Sequence, residues 1–237
     1  MKVTLYPSDE RGKADYGWLK ARHSFSFGNY YQPSKVHFGA LRVLNDDQIA
    51  PGMGFGTHPH DNMEIITIPL EGAVEHKDSL GSHGLIHVGE VQVMSAGTGI
   101  NHSEYNASKT DYLKLLQIWI IPNLRDVTPR YAQANFSTLV NHWTSLVGPE
   151  NSNALLWIHQ QAYISIAEVA ASKQIKYALK HPENGVYLFV IEGNAQIENH
   201  YLHLRDAAGI SNTEEINILN SSDTTLKILA LEVPMEF

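Results

Sequence analysis

Two short stretches hold side chains whose types and spacing suit metal chemistry. The first, Gly54-Phe-Gly-Thr-His58-Pro-His60-Asp-Asn-Met-Glu64, sets two imidazoles two residues apart. The second, Gly97-Thr-Gly-Ile-Asn-His102-Ser-Glu104-Tyr-Asn106, sets an imidazole and a carboxylate two residues apart. In an extended strand, residues i and i+2 point to one face and lie roughly 6–7 Å apart. Two such pairs facing each other across a barrel would converge four donors, His58, His60, His102 and Glu104, on one divalent metal. Glu64 competes for the carboxylate position. On a straight strand it lies roughly 13 Å from His60, so it reaches the same ion only through a bend at Asp61-Asn62. Glu104 shares a face with His102 and needs no distortion. Glu104 is therefore expected as the ligand. Glu64 is expected as an acid beside the site or lining its pocket, able to fix a histidine tautomer by accepting a free N–H. Three imidazoles and one carboxylate with open positions suit iron, nickel, copper, manganese, cobalt or zinc, and ligand type does not choose among them.

Composition narrows the classes of function. The chain has 237 residues, 43% hydrophobic and 18% charged, enough for one large β domain or two ordinary ones. A net charge of −8 argues against direct nucleic-acid binding, which needs a basic footprint. No apolar run approaches the ~20 residues of a membrane span, and the first ten residues are not a signal peptide, so the cytoplasm is the expected location. There is no cysteine, so any metal must be held by nitrogen and oxygen, and 13 histidines supply the nitrogen.

The elements that must position these donors read as strands. Lys20–Tyr31 alternates aromatic with small or polar residues, and Phe38–Asp47 is a strand closed by a turn. Along the even positions from His58, the residues are His60, Asn62, Glu64, Ile66, Ile68 and Leu70, a face polar at its start and apolar at its end. That gradient suits a barrel with a metal near its mouth and a hydrocarbon floor, Ile66 and Ile68, that would enclose a ligand below it. Pro59 cannot donate to a ladder and belongs at a strand's start or on an edge. Further strands are expected at 73–77, 85–88, 91–94 and 113–121, with helical turns near Leu139–Leu146. Many short strands between Gly and Ser turns indicate an all-β barrel or sandwich.

A repeat divides the chain. His60–Gly72 aligns with His181–Gly193 at equal length, and Leu113–Pro122 with Leu226–Pro234. Two copies of one domain follow, at 1–133 and 155–237, joined by a Pro-, Asn- and Ser-rich linker at 134–154. In the second copy Leu179 stands where His58 would be, and no counterpart of His102-Ser-Glu104 occurs between Asp206 and Leu219. One metal site is expected, in the N-terminal barrel.

The pattern Gly52-x5-His58-x-His60-x3-Glu64 resembles the first cupin motif, and Gly89-x7-Gly97-x4-His102-x3-Asn106 a modified second one. The His-Pro-His, Leu-Glu-Gly, Ser-Ala-Gly-Thr-Gly-Ile and His-Ser-Glu segments resemble pirins. Gly17-Trp-Leu-Lys, His23-Ser-Phe-Ser-Phe-Gly-Asn-Tyr-Tyr, Leu41-Arg-Val-Leu-Asn-Asp-Asp and Thr128-Pro-Arg-Tyr resemble the bacterial pirin-like quercetin 2,3-dioxygenases. The likeness is dense over residues 10–133 and loose over 155–237. It implies a bicupin, two jelly-roll-like β-barrels in tandem, with one metal held by His58, His60, His102 and Glu104, iron being taken first. It implies a dioxygenase that opens a flavonol ring with O2. A flavonol is acidic at its 3-hydroxyl and can chelate a metal, so the expected roles are metal template and Lewis acid, with Glu104 taking the hydroxyl proton. The rival from another class is an iron-dependent redox-sensing regulator that binds a protein partner. A third is a hydrolase or isomerase using the site as a Lewis acid. An apolar pocket at the metal favours an enzyme, and a closed site beside an exposed apolar patch favours the regulator.

Other histidines and aromatics are expected to be structural or solvated. His23 belongs to its aromatic segment, near a pocket mouth at most. Phe25, Phe27, Tyr30 and Tyr31 read as core. His83 and His87 read as solvated, His181 as vestigial or packed, and His200 and His203 as residues on opposite strand faces.

Overall fold

Strands make up every regular element except one short 3-10 turn at Ser8–Glu10. The computed structural model describes residues 1–237. Each half pairs a seven-stranded sheet with a four-stranded one, the jelly-roll arrangement of a cupin. In the N-terminal barrel the large sheet runs in the order Arg130–Asn135, Glu90–Ser95, Glu64–Glu71, Leu113–Ile120, Leu41–Ile49, Leu19–His23 and Gly12–Asp15. The small sheet runs Gly54–His60, Ile100–Asn106, Ala73–Asp78 and His83–His87. The chain is all-β, as expected, and it contains no helix long and apolar enough to cross a membrane.

Alternation along each strand of the large sheet sorts its side chains into two layers. Leu44, Ile66, Ile68, Val91, Val93, Leu116 and Ile118 point away from the barrel interior. They pack with Ile164, Ile166, Tyr187, Phe189, Leu229 and Leu231 of the second half in a single core of 26 buried residues. The two seven-stranded sheets thus meet face to face, and the largest hydrophobic cluster lies between the barrels. The opposite layer, which includes Asn45, Asp47, Thr67, Gln92, Gln117 and Trp119, faces the N-terminal barrel interior.

Strand pairing departs from the expected division of the chain. Lys2–Tyr6 pairs with Ala207–Ser211, adding an N-terminal strand to the C-terminal sheet. Trp143–Pro149, inside the stretch read as a linker, is a strand antiparallel to Tyr163–Val169. It takes the place of the helical turns expected near Leu139–Leu146. Leu146 and Val147 are fully buried in the inter-barrel core, a short apolar signal hidden by the Pro, Asn and Ser around it.

The C-terminal barrel has a filled interior. Ile175, Tyr177, Leu188, Val190, Leu202 and Ile216 belong to a separate core of 17 buried residues there. Buried Glu232 is fully engaged, accepting from the Tyr177 hydroxyl, the backbone amides of Lys180 and His181, and the Asn184 amide.

Candidate metal centre

Two strands of the small sheet bring the histidines together. Gly54–His60 is an edge strand, and Pro59, exposed on it, costs the ladder nothing. It pairs antiparallel with Ile100–Asn106, with His102 directly opposite His58. A bulge between His102 and Glu104 shifts the register so that Glu104 faces Phe55. The ring centroids of His58 and His102 are 4.5 Å apart, and His60 is 4.9 Å from each. One ring nitrogen from each of the three lies within 4.8 Å of the others.

Tautomers follow from the partners. The His58 Nδ1–H donates to the Gly56 carbonyl at 2.7 Å, leaving its Nε2 lone pair free for an ion. His102 is 2% exposed, and neither of its ring nitrogens has a partner in the chain. An idle buried imidazole costs about 1–3 kcal/mol, a cost that an ion bound to the ring would remove. Burial, with neighbouring imidazoles, pushes His60 down to about 4 and His102 to about 3, so both are neutral at physiological pH and have no proton to expel. Neutral imidazoles with free lone pairs and a nearby carboxylate fit a divalent transition metal.

Glu104 is 2% exposed and held at both oxygens. Thr67 Oγ donates to Oε1 at 3.1 Å, and Gln117 Nε2 to Oε2 at 2.7 Å. Its carboxylate falls in a second donor cluster with His102 and His76, so His102 is shared by both groups. His76 escaped the reading of the sequence. It is completely buried opposite Glu104 in the paired strand Ala73–Asp78, and its Nε2–H donates to Asp78 Oδ2 at 3.1 Å. Its Nδ1 has no partner. The signal was the alternation Val74, His76, Asp78, a polar inward face beside the His102–Glu104 strand.

Glu64 stands elsewhere. The bend foreseen at Asp61-Asn62 exists, with Asn62 at φ 44°, but it carries the chain out of the small sheet and into the large one. The parity of the following strand is thereby reversed. Glu64 points between the barrels, where it accepts from Ser95 Oγ at 2.7 Å and His159 Nδ1 at 2.8 Å. Burial pushes its carboxyl up, against those two hydrogen bonds. It fixes a histidine, but one of the second half and away from the pocket. Ile66 and Ile68 follow Glu64 into the inter-barrel core and do not enclose a substrate.

The histidines open onto a cavity of about 580 Å³. His58 and His60 form one edge, and Phe27, Tyr30, Phe55 and Trp119 supply aromatic wall. Trp119 meets His60 edge-on at 5.0 Å and Phe27 at 5.3 Å. Phe27 and Tyr30 are thus cavity residues where core was expected, whereas Phe25 is buried core and Tyr31 is exposed. His23 lines the cavity, its Nδ1–H donating to Asn45 Oδ1 at 2.8 Å, and burial lowers its pKa. His83 and His87 are exposed, as expected.

Comparison with known proteins places this arrangement. Residues 6–120 match the Pirin family model, and residues 145–233 match the quercetinase C-terminal cupin domain. A quercetin 2,3-dioxygenase of Escherichia coli K12 is 41% identical over 232 residues, covering 98% of this chain and 99% of that protein. A pirin-like protein of Caulobacter vibrioides is 40% identical, covering 94% and 97%. The crystal structure of bacterial pirin YhhW from Escherichia coli in complex with nickel(II) superposes with a TM-score of 0.92, at 41% identity, over 98% of this chain and 99% of that one. The three clustered histidines and the paired jelly-roll barrels therefore belong to a recognised lineage: the chain is a member of the pirin family of the cupins.

Proposed function

We propose that the protein is a metal-dependent dioxygenase that opens the ring of a flavonol such as quercetin with O2. The observation that carries this reading is the convergence of His58, His60 and buried, unpartnered His102, the first two at the edge of a cavity with Phe27, Tyr30, Phe55 and Trp119 in its wall. The name of its E. coli relative, a quercetin 2,3-dioxygenase, and the nickel(II) complex of bacterial pirin support it.

The proposed ligands are His58, His60, His102 and Glu104. When bound, the divalent metal supplies Lewis acidity and open positions for oxygen ligands. The protein's own groups do the rest. Glu104, fixed by Thr67 and Gln117, takes the proton of the flavonol 3-hydroxyl at the histidine end of the cavity. Trp119, Phe27 and Phe55 hold the flat rings and exclude water from the reacting face. His76, with its Nε2–H committed to Asp78, keeps a bare Nδ1 and packs beside His102, ring centroids 5.3 Å apart. Iron and nickel are the first candidates for the metal. An open aromatic cavity beside the histidines favours turnover over the closed sensor of the regulatory alternative.

The test loads metal-free protein with single metals and follows quercetin's visible absorbance with and without O2. O2-dependent loss of the absorbance with at least one metal is expected. Stoichiometric metal binding with no O2-dependent loss for any metal would sink the reading.

A further inference from the structure

One carboxyl in the cavity wall has no role in holding the metal or the fold. Asp47 lies on Leu41–Ile49, 4% exposed, and its Oδ1 hydrogen-bonds to nothing in the chain. Its neighbour Asp46 points the other way and takes both available cations, Arg11 at 3.3 Å and Arg205 at 3.5 Å. Asp47 has no cation within salt-bridge distance. Asn45, two residues earlier on the same face, is committed to His23. Gln117, opposite Asn45 in the neighbouring strand, is committed to Glu104. Leu19 and Ala21, which line the same cavity, are apolar and supply no donor.

A buried carboxyl without donor or cation costs free energy and calls for an explanation. The cavity provides one, because Asp47 lines it together with the histidines of the metal site. Desolvation, then Asp46 and Glu104, pushes the carboxyl up, so its surroundings disfavour the bare anion and favour a ligand that brings a hydrogen-bonding group to it. Such a group pairs well with a neutral hydroxyl and poorly with an anion. With Phe27, Tyr30, Phe55 and Trp119 in the same wall to stack on a flat ring, the matching ligand group is a phenol.

We propose that Asp47 is the specificity-determining residue of the cavity, hydrogen-bonding a phenolic hydroxyl of the substrate other than its metal-chelating 3-hydroxyl. The proposal rests on the reading of the cavity as a flavonol site. It sorts substrates by their other hydroxyls: a polyhydroxylated flavonol satisfies Asp47, and one lacking those groups leaves it idle. Sites built to pair a substrate hydroxyl reject analogues that lack it far more strongly than apolar pockets discriminate by size.

Anaerobic calorimetric titration of the nickel-loaded protein with quercetin and with 3-hydroxyflavone tests this. 3-Hydroxyflavone keeps the chelating edge and has no other hydroxyl. Wild-type protein is expected to bind quercetin at least about tenfold more tightly. Asp47→Ala should bring that ratio close to one, and Asp47→Asn, which keeps a donor and an acceptor, should restore part of it, with nickel content unchanged in both. Equal binding of the two flavonols by wild type, binding of neither, or an undiminished ratio in Asp47→Ala overturns the proposal. Should Asp47→Ala not fold, a crystal structure of the wild-type quercetin complex decides. A phenolic oxygen within hydrogen-bond distance of the Asp47 carboxyl supports the assignment, and its absence overturns it. Binding with the expected ratios but without O2-dependent turnover would remove the dioxygenase reading and leave this one standing.

Discussion

Glu104 and Glu64 are chemically identical, and their surroundings give them different work. Glu104 shares a strand face with His102 and accepts from Thr67 and Gln117 inside the barrel. Glu64 accepts from His159 and Ser95 between the barrels. Glu104→Ala should therefore lose bound metal, measured by elemental analysis of the purified protein, whereas Glu64→Ala should keep it and melt at a lower temperature. His76→Phe, which removes a donor from the His76, His102 and Glu104 cluster, should weaken metal binding, as read by competition with a chelator. Asp47 sets a pH dependence of the opposite sense to a salt-bridged acid. Its folded value, about 8, lies above the unfolded 3.8, so the proton it holds stabilises the fold fully below 3.8 and that contribution is lost as pH rises through 8. Asp47→Asn should consequently match wild type near pH 4 and exceed it at pH 8. A gain of at least about 1 kcal/mol in denaturant titration is expected, since one pKa unit is worth ~1.4 kcal/mol.

The strand Gly54–His60 shows how far the elements were legible. The two-residue spacing of His58 and His60 and the pairing of His102 with Glu104 could be read directly, because strand alternation is local. The small-sheet strands at 73–78 and 83–87 and the large-sheet strand at 90–95 were legible for the same reason. The face of Ile66 and Ile68 was not, because a single left-handed residue, Asn62, reverses the parity between His60 and Glu64. The alternation of Val74, His76 and Asp78 marks an inward face, but only the pairing of His76 with Glu104 across the sheet ties it to the site, and Asp47 joins the cavity wall with no local signal at all. Gly54 marks where the two ligand strands come closest. A Cβ there would run into the Glu104 carbonyl oxygen and the Tyr105 Cα, both backbone atoms of the partner strand. Gly54→Ala should push the His58 strand away from the His102 strand and lower metal occupancy. Retention of full occupancy would show that the strands can separate without disturbing the ligands.

At the scale of the molecule, the two barrels share one core, and the N-terminal strand is built into the C-terminal sheet. The duplication was legible in the repeated Ile-Glu-Gly and Leu-Glu-Gly segments, but the exchange of Lys2–Tyr6 was not, since a five-residue strand carries no mark of its distant partner. Ile68→Ala, in the shared core and away from the cavity, should cost about 2–5 kcal/mol and lower a single melting transition for both barrels, with metal content intact. Two separated transitions would show that the barrels fold independently. The C-terminal barrel, filled with Tyr177, Leu188 and Val190, serves as the wall against which the metal-bearing barrel is packed. The whole arrangement converges on one claim, that both atoms of O2 enter a flavonol held beside His58, His60 and His102. The direct measurement is mass spectrometry of the ring-opened product formed from quercetin by metal-loaded protein under ¹⁸O2. Two labelled oxygens in the product are expected, and a product without label, its added oxygens supplied by water, would contradict the claim.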